Sequence, residues 1–181
     1  ADLSESYFTD MKDATKWHDM AVEFYDDQNS IQWIYDQACV GLQEARSALK
    51  SLADRLNRAD LQYRYGLLSA EFFQCLDEAV YYMSLAAKSK HYKALKWLEH
   101  QEPHLQSAAY CLAQMYENGE GVTRSMDTAI EKYAFLVRQG HGNALQQLLW
   151  LAGNRNYRAI LVMADLSESY FTDMKDATKW H

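Results

Sequence analysis

An all-α fold of antiparallel helix hairpins is predicted by three features of the sequence. Apolar residues recur at spacings of three and four along most of the chain, the pattern of helices with one buried face. One proline and seven glycines in 181 residues are too few breaks for the many turns of an all-β fold. Short segments separate the periodic stretches, and short helices joined by short loops pack antiparallel. A content of 49% hydrophobic and 24% charged residues is that of a folded chain able to bury a sizeable core.

In order along the chain, ATKWHDMAVEF from Ala14 reads as a helix ending near Tyr25. Residues 29–58 read as one or two linking helices. LQYRYGLLS (61–69) opens a hairpin whose second helix begins near Ala79. HYKALKWLEHQ then reads as a short inserted helix that stops before Pro103, because proline disfavours a helical residue ahead of it. AAYCLAQMY (108–116) opens the next hairpin; its turn is Asn118-Gly119-Glu120-Gly121, and Asp127 leads into AIEKYAFLV, closed by RQG. NALQQLLWLAGN reads as a second inserted helix. From about Tyr157, AILVMADLS starts a third hairpin, with its turn expected within SESYFTDMKDA and its second helix near Ala177.

The three opening helices share a register. The fifth position is apolar (Tyr65, Leu112, Met163), the sixth small (Gly66, Ala113, Ala164) and the eighth apolar (Leu68, Met115, Leu166). A small residue between large ones is expected to let two helices approach closely. The helix starts at 61, 108 and 159 lie 47 and 51 residues apart, which leaves room for the inserted helices.

Residues 1–18 and 164–181 are identical, ADLSESYFTDMKDATKWH in both places. Natural repeats drift, so the leading expectation is a deliberately cut, circularly permuted or tandem chain; a recent natural duplication and an assembly error are the alternatives. Each end would hold the half-hairpin that the other lacks. Exposed apolar residues there, Leu166, Phe171 and Trp180, are expected to drive end-to-end self-association, since terminal repeats need covering.

AAYCLAQMYENGEGV followed by AIEKYAFLVRQGHGNA resembles a Sel-one-like repeat, a branch of the tetratricopeptide superfamily, and QYRYGLL with AVYYMSLAAKSKHYKA resembles a second unit. The second unit has AEFFQCLDEA where the family turn carries glycines. The resemblance implies a single domain, a right-handed α/α superhelical solenoid with half-unit 1–28, linking helices 29–58, repeats 61–101 and 104–154, and half-unit 157–181. It also implies a non-enzymatic scaffold or adaptor, or a toxin-neutralising protein. In such hairpins the first helix lines a concave groove. The matching positions are Asp60, Tyr63, Leu67 and Glu71; Ser107, Tyr110, Gln114 and Glu117; and Arg158, Leu161, Asp165 and Glu168. An engineered assembly with a structural role only is the alternative.

The net charge of −7 disfavours nucleic acid and suits a basic protein or peptide partner. No run of about eighteen apolar residues is present, so no membrane span is expected. Cys39, Cys75 and Cys111 read as isolated, buried thiols. His100 and His104 have ligand spacing, but Pro103 between them favours a solvated loop over a metal site. HExxH, GxSxG, CxxC and phosphate-loop patterns are missing, so neither catalytic residue nor cofactor nor metal is expected. The pairs Phe72-Phe73 and Tyr81-Tyr82, without a basic stripe, read as core.

Overall fold

The structure is a computed structural model. It describes the backbone of residues 3–25 and 27–178 and the side chains of residues 12–23 and 27–168. Among the described residues there are ten helices and no strand: the fold is all-α. The chain divides into two compact units, Ala1–Lys96 and Trp97–His181.

The first unit holds α1 (Leu3–Tyr25), α2 (Gln28–Cys39), α3 (Gln43–Leu56), α4 (Ala59–Glu71) and α5 (Leu76–Lys88), followed by the start of α6 (Tyr92–Gln101). The linking segment is therefore two helices. Asp27 caps α2 by accepting the Ser30 N–H at 2.9 Å, satisfying an end donor that the helix cannot. α1 packs on α2 and α3, α3 on α4, and α4 on α5. Ile31, Ile34 and Ala38 of α2, Leu49 and Leu52 of α3, and Leu61, Tyr65 and Leu68 of α4 form its core.

Gly66 has the role its register suggested. A Cβ there would lie 3.2 Å from two Met83 side-chain atoms, so the missing side chain is what lets α4 and α5 approach. Glu78 of α5 then ties three helices together, accepting from Lys50 at 2.5 Å and from Ser69 at 3.4 Å. Burial pushes the Glu78 carboxyl up, but the Lys50 and Tyr65 hydrogen bonds and the Arg46 charge outweigh it and leave it below its ordinary value.

The second unit holds α7 (Gln106–Asn118), α8 (Met126–Arg138), α9 (Gly142–Gly153) and α10 (Tyr157–Thr178). Gly119 ends α7 at φ 76°, a left-handed conformation that costs glycine nothing. Ser125 caps α8 and His141 caps α9. Ala113, Ile130, Tyr133, Leu148 and Leu151 are central to its core.

Several expectations are corrected. α1 and α10 are each one unbroken helix, with no turn inside SESYFTDMKDA. That stretch has neither glycine nor proline, and nothing in it stops a helix once begun. The half-hairpin picture of the ends therefore gives way to single long helices. Ala164 is exposed, so the third register makes no close helix contact there. Leu166 packs partly against the second core and is not an open apolar face; Phe171 and Trp180 lie outside the described side chains. The three thiols are free, but none is buried, and Cys75 is exposed. Each aromatic pair splits: Tyr82 is buried while Tyr81 is exposed, and Phe73 lies under the Arg46 guanidinium at 3.6 Å while Phe72 is exposed.

Candidate functional site

A cleft of about 590 Å³ opens in the first unit. α2 contributes Gln32 and Tyr35, α4 contributes Asp60, Tyr63, Arg64 and Leu67, and His91, Tyr92 and Lys93 stand at the start of α6. On α4, residues 60, 63, 64 and 67 share one face because they are three and four apart. The opposite face of that helix carries Leu61, Tyr65 and Leu68 into the core.

Asp60, Arg64 and His91 each have a defined setting. Asp60 accepts two hydrogen bonds from Arg58, at 3.1 and 2.7 Å. Arg64 donates to Gln32 at 2.7 Å and lies 5.6 Å from the centre of the Tyr35 ring. The Tyr63 ring lies 4.5 Å from the His91 ring, tilted by 31°. His91 Nδ1 accepts the Ala94 N–H at 3.3 Å, which places the proton of the neutral ring on Nε2.

Burial, the nearby Cys39 and the Glu71 charge push the Tyr35 hydroxyl up to about 12, and burial with Glu71 raises Tyr63 as well. Burial lowers His91, with Asp60 opposing and Lys93 adding to it. Near neutral pH both tyrosines are therefore un-ionised hydroxyls and the histidine leans toward its neutral form. Such walls can offer apolar area, hydroxyls and two cations to a bound group.

Of the twelve positions chosen from sequence, the cleft brings together Asp60, Tyr63 and Leu67. Glu71 is exposed at the end of α4 and is not part of the lining. In the second unit, Ser107, Tyr110, Gln114 and Glu117 are all half-buried. Glu117 is engaged internally: it accepts from Tyr133 and from Gln147, each at 2.7 Å. Arg158 pairs with Glu131 and Asp165 with Arg138, both at 3.0 Å, while Leu161 and Glu168 are exposed. Three of the carboxylates expected to greet a basic partner, Asp60, Glu117 and Asp165, are thus already bonded.

Sequence reasoning missed Gln32, Tyr35, Arg64, His91, Tyr92 and Lys93. A signal existed for the histidine. HYKA (91–94) and HGNA (141–144) both put histidine three residues before a buried alanine, and both histidines accept that alanine's N–H. Tyr35 had no such signal, since its part in the cleft depends on α2 packing beside α4.

Among the described residues, no three or more His, Cys, Asp or Glu side chains gather as metal ligands. No helix among them is long and apolar enough to cross a membrane. Compared with protein-family models, curated proteins and solved structures, the chain matches none.

Proposed function

We propose that this chain is a non-enzymatic helical-repeat scaffold whose first unit binds a short segment of a protein partner in the α2–α4–α6 cleft. The observation that carries the reading is the cleft lining: three residues that the family resemblance assigns to a groove, Asp60, Tyr63 and Leu67, lie there beside Tyr35, His91 and Tyr92. Tyrosine suits such a surface because it joins apolar area to a hydroxyl at low entropic cost. The Sel-one-like resemblance supports the same class of function and the solenoid arrangement proposed with it.

The charge of the partner needs separate treatment at two distances. A net −7 attracts basic proteins from afar and is screened by salt. Inside the cleft, Arg64 and Lys93 stand against a single carboxylate, Asp60, that Arg58 already neutralises. The segment held there is therefore one with an aromatic or aliphatic anchor beside an aspartate or glutamate.

The test is selection of a random twelve-residue peptide library on the full chain. Enriched peptides should pair an apolar anchor with a carboxylate. Tyr92 is 68% exposed, so Tyr92→Ala should spare the fold and weaken those peptides roughly tenfold, and Lys93→Glu should do the same. Peptides rich in lysine and arginine, or indifferent to both substitutions, would reject the cleft as the binding site.

A further inference from the structure

The contacts that hold α1 on α2 and α3 are shared between the copied sequence and residues just beyond it, Asp19, Val22 and Glu23. Thr15 is 4% exposed at this interface. His18 Nδ1 bonds the Ser30 hydroxyl at 2.8 Å, and its ring stacks on Trp33 with centroids 4.2 Å apart. Lys12 pairs with Glu44 at 3.1 Å. These three residues are three apart, on one helix face. Trp17, between them in sequence, is 64% exposed.

Residues 164–181 repeat this set without change: Lys175, Thr178 and His181 correspond to Lys12, Thr15 and His18. The copied backbone is also helical in both places, residues 3–15 within α1 and 166–178 within α10. α10 packs on its own core through Ala159, Val162, Met163 and Leu166, of which Leu166 alone belongs to the copy.

We infer that residues 164–181 of one molecule take the place of residues 1–18 on α2 and α3 of a second copy. Asp19, Val22 and Glu23 lie beyond the copied segment and keep their places, two of them paired with Arg55 at 3.3 and 3.0 Å. The exchange replaces like with like, so it neither gains nor loses contacts at the α2–α3 surface. Two things oppose it. One is tethering, since the resident segment acts at an effective concentration on the order of millimolar. The other is the break that α1 must suffer between His18 and Asp19, which forfeits the backbone hydrogen bonds spanning it. Association of the unaltered chain therefore sets in only above that range. The contact is head-to-tail, so it yields rings if the rotation closes and filaments if it does not.

One substitution placed in either copy has opposite effects. Thr15→Lys evicts the resident segment and should lower the concentration of half-assembly at least roughly tenfold, measured by sedimentation velocity on the full chain. Thr178→Lys spoils the incoming segment and should leave the chain monomeric, alone or combined with Thr15→Lys. His18→Ala and His181→Ala should repeat the pattern more weakly; they decide the matter if Thr15→Lys loses its helical circular dichroism. Trp180→Ala should change nothing, because its counterpart Trp17 faces solvent. Assembly that survives Thr178→Lys, fails to respond to both Thr15→Lys and His18→Ala, or depends on Trp180 would overturn the exchange.

Discussion

Tyr63 and Tyr110 occupy matching registers of α4 and α7, and each lies against the histidine that caps a later helix. The rings are 4.5 Å apart and tilted by 31° in one unit, 5.0 Å apart and tilted by 23° in the other. Their surroundings diverge. Beside Tyr110, the buried Tyr133 ring lies at 5.8 Å, and Glu117 bonds α7 to both α8 and α9. Beside Tyr63, α4 ends in an exposed Glu71, and α2 supplies an opposite wall with Gln32 and Tyr35. The tyrosine–histidine pair is thus a packing device common to both units. Whether it also borders a cleft is decided by the helix next to it, which register along a single helix cannot report.

The sharpest way to break this comparison is to remove the bonds that close the second corner. Glu117→Ala strands the Tyr133 hydroxyl, on a side chain with no exposed surface, and takes the acceptor from Gln147. A buried group left without its partner costs about 2–3 kcal/mol. Amide exchange in α7, α8 and α9 should quicken accordingly. Unchanged protection there would mean that packing alone closes the corner.

A smaller effect should be shared by both units. His91→Ala and His141→Ala each remove a cap, worth about 1 kcal/mol, and a ring contact worth about 0.5–1 kcal/mol. Asparagine is itself a good cap, so His91→Asn and His141→Asn should recover the first part and not the second. Urea midpoints of the four variants measure this. A cost confined to one histidine would show that the two corners only look alike.

The all-α fold was legible because its signals are local. Apolar period, the Gly119 stop and the Pro103 boundary each act within a few residues. The turns expected in α1 and α10 came from carrying a hairpin pattern across a stretch that contains no breaker, and local chemistry won. The candidate site was legible only along α4. Asp60, Tyr63 and Leu67 share one helix face and were singled out by the family resemblance, whereas Tyr35 and the α6 residues arrive from segments more than twenty residues away. Nor could a sequence say which carboxylates are occupied. Glu117 and Glu71 look equivalent as letters, and only folding gives one of them two internal donors.

The smallest expected effect is a pH dependence carried by His91. An unfolded histidine titrates near 6.5, and burial sets His91 lower in the folded chain, with Asp60 opposing and Lys93 reinforcing the shift. The unfolded chain then holds the proton more tightly, so acid favours unfolding and stability rises with pH. The contribution is fully present above about pH 6.5 and is lost as pH falls through the lower, folded value. Glu78, also held below its ordinary value, loses its contribution only in the carboxylate range, so the two windows are separable. Solvent screens a half-exposed ring, which limits the His91 effect to roughly a few tenths of a kcal/mol. His91→Asn keeps the cap and removes the titration. Comparing its urea midpoints with those of the unaltered chain at about pH 7.5 and about pH 5.5 should show a shallower dependence in the variant. Equal slopes would assign the acid sensitivity elsewhere, and would also mean that His91 is not held toward neutrality beside Tyr63.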